Sequence, residues 1–446
     1  MNKYNVLHPF SFMPNLQDKT EEDIKEIYTF LESGKGCWVK DDKGNEYFYA
    51  TTAVPTVGLG NKRVVDAINK QMERLSFAST CGQTHPYVQK LAEKLVSVAG
   101  EQFSLCFYTT DGSGAIETAM KLARQHFMQK GLQGKSKFIS FDGNYHGTTF
   151  ASGSVTKMGI QETFGEGIKG CYTAPFPNML RPPVEGTEEE ITDYCLQRLK
   201  HLIAEISPDE VAAIIFEPIQ GVNGIIPMSK RFLQQVASLA KENNILLIAD
   251  EVTTGLGRTG YWTSSEYYGI KPDLLTISKG LTGGYFPMGA TLISSEIESS
   301  LLEEGGIFLH GSTQCGHPVG CVAALELISI IEEENLLENA KEMGEYILST
   351  FKNQLKDCKH IGEVRGEGLM ISIEFVSDRL SNESIDFSLG ERFSQELRRQ
   401  GVLGNYFNGI LLLYPPLNVS KSEATFLSDK VLQAINQIFG GMNENE

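Results

Sequence analysis

Short apolar runs alternate with stretches of helical period through the middle of the chain, the pattern of a mostly parallel β-sheet covered by helices. The runs are Leu105–Tyr108, Phe138–Phe141, Val211–Phe216, Ile245–Ala249 and Leu274–Ile277. None shows polar alternation, as expected of strands buried on both faces. The clearest crossover helix begins near Ala115, where Ile116, Ala119, Met120, Ala123 and Phe127 fall at i, i+3, i+4, i+7 and i+11. Those positions share one face, so the stripe is core rather than binding surface.

The two ends of the chain read differently. CWVKDDKGNEYFY, beginning at Cys37, is hairpin-like, and amphipathic helices are expected around 321–357 and 387–400. The pattern predicts an α/β protein with a large domain over 56–325, built on a mostly parallel central sheet. A smaller α+β domain draws on 1–55 and 326–446. The Pro-rich segment 174–183 reads as a surface excursion, the acidic triplets Glu188–Glu190 and Glu332–Glu334 as solvated helix ends, and the closing GGMNENE as a frayed end.

Composition narrows the function. The 446 residues are 41% hydrophobic and 21% charged, an ordinary globular balance. A formal charge of −17 repels phosphate backbones and anionic lipid, so nucleic acid is not an expected partner. Apolar stretches such as Val211–Phe216 fall far short of the roughly twenty residues that span a bilayer, so no membrane segment is expected. The N-terminus does not read as a secretory signal. Eight cysteines without a C-x-x-C pair suggest reduced thiols in a cytoplasm, with neither a zinc site nor a disulfide framework.

Two motif matches carry no chemistry. Gly255-Leu-Gly257-Arg-Thr-Gly260 satisfies G-x-G-x-x-G but is followed by Tyr261-Trp262 and a Thr/Ser stretch, not by the helix that a dinucleotide site requires. Gly134-Lys135-Ser136 ends like a P-loop, yet Gln129 stands where the first glycine belongs.

The informative feature is that several strands end in polar groups at their carboxyl ends, where ligands bind in open α/β sheets. Strand 105–108 leads into Thr109-Thr110-Asp111-Gly112-Ser113-Gly114-Ala115 and then a helix, the outline of a phosphate cradle or of an ordinary helix cap. Strand 245–249 leads into Asp250-Glu251, whose charge needs a partner or water. Strand 274–277 leads into Ser278-Lys279-Gly280, where desolvation favours a neutral, nucleophilic amine. Strand 211–216 adds Glu217-Pro218. Singly, each reads as a strand-end charge or salt bridge; together, they face one crevice.

This order of a cradle, Tyr145-His146-Gly147, Asp250 and a lysine 29 residues later resembles the fold-type I enzymes that use pyridoxal 5′-phosphate (PLP). More narrowly it is similar to the class III aminotransferases. The likeness runs from Gly36-Cys37-Trp38-Val39 through GSGAIETAMKLAR, NYHGTT, EPIQG, IADEVTTGLGRTG, TISKGLTGG, HGSTQCGHP and VRGEGLM to the YPPL at Tyr414.

The resemblance implies a role for each matching residue. Lys279 would bond to the cofactor aldehyde and shuttle the proton. Asp250 would pair with the pyridine nitrogen. Tyr145, with His146 beside it, would stack on one face of the ring and Val252 would pack on the other. Gly112 and Ser113 would bind the phosphate, Glu217 would lie near the ring hydroxyl, and Gln220 would line the pocket. Ser312 and Thr313 would reach across a homodimer interface to the partner's phosphate. Arg365 would clamp a substrate carboxylate.

Departures from the family pattern bear on substrate. Gly114 stands where many relatives have glutamate in G-S-E-A. Thr148 replaces an arginine that binds a distal carboxylate, and Val222 replaces a glutamate that gates the clamp. These exchanges favour pyruvate or another monocarboxylate over 2-oxoglutarate as acceptor. Thr253 replaces a glutamine at the ring hydroxyl. The expected reaction is ping-pong transfer of an amino group from an amino acid or ω-amine to a keto acid. A diaminopelargonate-type aminotransferase of biotin synthesis is the alternative, suggested by Tyr-His-Gly-Thr-Thr-Phe and His8-Pro9-Phe10. Aminomutase or racemase chemistry on the same fold is a further one.

Overall fold

The computed structural model describes residues 4–11, 19–303 and 306–440, so the expected frayed end falls almost wholly outside the described residues. The apolar runs form one seven-stranded sheet in the order Phe103–Thr109, Gly289–Ser294, Leu274–Ile277, Leu246–Asp250, Val211–Phe216, Lys137–Phe141, Cys171–Ala174. Gly289–Ser294 runs antiparallel to both of its neighbours, and the remaining pairs are parallel. Every residue of strands Val211–Phe216, Leu246–Asp250 and Leu274–Ile277 is buried, which explains their unbroken apolar character.

The helix after Phe103–Thr109 spans Gly112–Gln129 and buries Ile116, Ala119, Met120, Ala123 and Phe127. It begins before the apolar stripe does, because Asp111 caps it by accepting from the Gly114 N–H at 2.8 Å. It lies across strands Gly289–Ser294 and Leu274–Ile277, to which Thr291 ties it by donating to the Ala115 carbonyl.

A second seven-stranded sheet joins the chain ends, in the order Leu31–Lys35, Trp38–Asp41, Glu46–Ala50, Val402–Phe407, Ile410–Leu413, Met370–Phe375, Ile361–Glu367. The expected hairpin is Trp38–Asp41 paired with Glu46–Ala50, its turn held by Asp41, which accepts from the Lys43 and Asn45 N–H groups. The helical stretch near 321–357 is two helices, Pro318–Glu333 and Leu336–Leu355, broken where Asn335 adopts φ +52°. Phe48, Phe351, Phe375, Phe393 and Phe439 lie in the core between this sheet and its helices.

The P-loop-like segment proves structural: the Lys135 ammonium is buried and donates to the carbonyls of Pro208 and Asn244, each at 2.8 Å. Among the described residues no helix is long and apolar enough to cross a membrane, and no group of His, Cys, Asp and Glu could hold a metal ion.

Candidate active site

Asp250 is the last residue of its strand, one position further into the sheet than the apolar run suggests, and it is buried. Its Oδ1 accepts from the Val252 N–H at 3.1 Å and the Thr276 hydroxyl at 3.3 Å. The His146 Nδ1–H donates to Oδ2 at 2.8 Å. His146 is itself fixed by its N–H, which donates to Thr156 Oγ1, while its buried Nε2 has no partner among the described residues. The pair brings together residues 104 positions apart.

Lys279 opens a short 3₁₀ turn, Lys279–Leu281, with φ at +25°, an unfavourable conformation for a side chain with a Cβ. Thr56 holds the turn from outside, donating to the Gly280 carbonyl at 3.0 Å. The Lys279 ammonium donates to Thr253 Oγ1 at 2.6 Å. Burial holds its pKa below that of a free lysine, against the opposing attraction of Glu217 and Asp250. Strain at the backbone and a weakened hold on the proton therefore coincide at one residue.

Glu217 is buried beneath this amine. Its Oε1 accepts from the Tyr145 N–H at 2.8 Å and its Oε2 from the Gly221 N–H at 3.0 Å. Burial nevertheless pushes its pKa up to about 7. Burial, then the charges of Asp250 and Glu217, also raise the pKa of the Tyr145 phenol.

At the carboxyl end of the edge strand Phe103–Thr109, the turn before helix Gly112–Gln129 faces the turn after Tyr145. Gly147 has φ +117°, and a Cβ there would lie 2.3 Å from Ser113 Oγ. A Cβ on Gly112 would lie 3.0 and 3.1 Å from the Val252 methyls. Gly147 is thus required for this close approach, and Gly112 leaves little room for a side chain beside Val252. The hydroxyl of Ser113 accepts from the Thr148 N–H at 3.3 Å, beside the unpaired N–H groups that open the helix. PLP fits this donor set. It needs an amine for its aldehyde, a carboxylate for its ring nitrogen, an aromatic wall and a phosphate cradle, and Lys279, Asp250, Tyr145 and the Gly112–Ser113 turn provide them in one crevice.

A cavity of about 880 Å³ opens from this cluster; Tyr145, Lys279, Val222, Asn223, Lys157 and Arg181 are among the residues that line it. Four sequence-predicted residues lie elsewhere. Gln220 is buried behind the wall, donating to the Asp142 carbonyl and to Asn144 Oδ1 and accepting from Asn223 Nδ2. Ser312 and Thr313 are exposed, Ser312 contacting Cys315 Sγ, so a single chain does not bring them to Lys279. Arg365, expected to clamp a carboxylate, is engaged within the chain. Its Nη2 donates to Glu374 at 2.5 Å, its Nη1 to Glu363 at 2.8 Å and its Nε to the Gly224 carbonyl at 2.9 Å. Two carboxylates already occupy the guanidinium fork that a substrate would need.

Thr156 and Thr276 act in the site through hydrogen bonds that no sequence motif signals, and Thr253, singled out as a departure from the family pattern, is the residue that receives the Lys279 ammonium. The charge of buried Asp250 signals the need for a partner, but the identity of His146 as that partner depends on chain crossing.

The chain matches the family model "Aminotransferase class-III" over residues 20–439. It is 32% identical to an adenosylmethionine-8-amino-7-oxononanoate aminotransferase of Geobacter sulfurreducens, covering 99% of this chain and 97% of that one. It is also 32% identical to a putrescine–pyruvate aminotransferase of Pseudomonas aeruginosa, covering 98% and 95%. Among solved structures, it superposes on a PLP-bound amine transaminase from an uncultivated Pseudomonas species with a TM-score of 0.93. That match has 32% identity and covers 98% of this chain and 99% of the other.

Proposed function

This chain belongs to the class III aminotransferases, and on that premise we propose that it carries amino groups from an amine or amino acid to a keto acid with PLP held on Lys279. The observation that carries the reading is the convergence of a half-buried, strained Lys279, the carboxylate of Asp250 and the glycine cradle at the carboxyl ends of strands of one sheet. When bound, PLP supplies an aldehyde that captures amines and a ring that accepts an electron pair from the donor carbon.

The chain's own groups would do the rest. Lys279 Nζ, its basicity reduced by burial, would hold the cofactor and would take up and return the proton of the donor carbon. Asp250 would pair with the ring nitrogen, and His146 fixes the orientation of that carboxylate. Tyr145 and Val252 would cover the two faces of the ring, and Glu217 holds the Tyr145 backbone in place. Gly112 and Ser113 receive the phosphate at the positive end of their helix.

The active unit in this reading is a homodimer. Ser312 and Thr313 stand exposed and ready to meet a second subunit, and nearby Ile307 and Leu309 are 76% and 86% exposed. Eight free cysteines suit a reducing cytoplasm.

An absorbance titration of the PLP-loaded protein with amines alone tests the reaction class. Transamination predicts one half-turnover that stalls until a keto acid is added. Sustained isomerisation or release of CO₂ from a single amino acid would place the chain with mutases, racemases or decarboxylases instead.

A further inference from the structure

Of the charged side chains on the cavity wall, Lys157 stands out for what it lacks. Lys279 donates to Thr253, and Arg181 pairs with Glu374. Lys157 has no ion pair among the described residues: its ammonium donates to the Ser154 carbonyl at 2.8 Å, and Gln161 donates to that same carbonyl. An ammonium offers three donors, so two remain for a ligand. The side chain is half-buried, and burial lowers its pKa. Glu162, an exposed carboxylate nearby, only partly opposes that burial, so the cation is held at a cost that an anionic ligand would offset.

Lys157 is also fixed relative to the reacting centre. Its N–H donates to the Asn144 carbonyl at 2.8 Å, and Asn144 immediately precedes Tyr145. The amine therefore stands on the same wall as the aromatic residue, on the loop after the short helix Phe150–Val155. Thr148, the position where related sequences carry a cation for a distal carboxylate, is exposed and is not among the residues lining the cavity. Arg365 is held by Glu363 and Glu374. Asp142 is an acid on the same wall, but it makes no ion pair with Lys157.

We propose that Lys157 is a specificity-determining residue that binds the carboxylate of an ω-amino acid, the end of the donor far from the reacting nitrogen. The inference rests on the aminotransferase reading and deepens it. It also supplies a cation for the distal carboxylate of 2-oxoglutarate, which the exchange at Thr148 alone argues against.

The test compares straight-chain ω-amino acids of four to six carbons with alkylamines of the same length, all with pyruvate as acceptor, in wild type, Lys157→Met and Lys157→Arg. The readout is the ratio of kcat/KM for acid over amine, in which the alkylamine reports folding and cofactor loading. The expected result is a fall of at least fivefold in the Met variant, carried by KM, with the Arg variant retaining most of the preference. A smaller fall, or a wild type that uses alkylamines but no ω-amino acid, overturns the proposal. A wild type that transaminates neither set overturns the aminotransferase reading itself.

Discussion

The His146 Nδ1–H donates to Asp250 Oδ2 across 2.8 Å, and both side chains are buried. Both carboxylate oxygens act as acceptors, since Oδ1 already receives the Val252 N–H and the Thr276 hydroxyl. Asp250→Asn must therefore turn an NH₂ toward one of these donors. The expected cost is about 1–3 kcal/mol of stability and a fall in kcat of roughly 10²–10⁴, read by thermal unfolding and steady-state rates. A variant with wild-type turnover would remove Asp250 from the reaction.

Glu217 yields a prediction in pH. Burial raises its pKa from 4.5 to about 7, so between these values the folded protein keeps a proton that the unfolded chain releases. Stability from this group is greatest below 4.5 and declines as pH rises to about 7. The decline is on the order of 3 kcal/mol. Glu217→Gln loses one backbone acceptor at every pH but should lack this slope. Urea midpoints of both proteins at pH 5 and pH 8 provide the check, and parallel pH dependences would contradict the assignment.

Gly147→Ala places a methyl against Ser113 Oγ at a backbone φ of +117°. The strain costs about 1–3 kcal/mol and displaces the turn that faces the cradle. PLP affinity, measured by fluorescence titration, should weaken at least tenfold, while Gly131→Ala, which imposes a like strain at φ +76° in open space, should lose stability without loss of affinity.

Arg365→Met separates a structural arginine from a substrate clamp. Removing the guanidinium leaves buried Glu374 with Arg181 as its remaining partner, and breaking a buried pair costs about 3–5 kcal/mol. The expectation is lower stability with the KM for the keto acid changed less than threefold. A large rise in KM without loss of stability would restore the clamp.

The sequence reveals the parts of this site that follow from local order. Asp250, Glu217 and Lys279 stand at or just after the ends of apolar strands; unbroken apolar runs locate those strands, and a 3.6-residue period locates the helix behind the cradle. The helix start at Gly112 is less visible, since glycine and serine carry no apolar period and Asp111 sets the boundary through a cap. Arg365 illustrates the limit. The resemblance implies a carboxylate clamp there, whereas a strand pairing puts Glu374 within reach of its fork. Lys157 shows the converse, a lysine without a motif that the loop after Phe150–Val155 carries to the cavity wall.

The central claim is that Lys279 Nζ bonds to PLP, and peptide mapping after borohydride reduction of the PLP-loaded protein measures it directly. The account predicts a single pyridoxyl-phosphate adduct on the peptide containing Lys279, absent from Lys279→Ala. An unmodified Lys279 under saturating PLP, or an adduct at another lysine with turnover intact in Lys279→Ala, would contradict it.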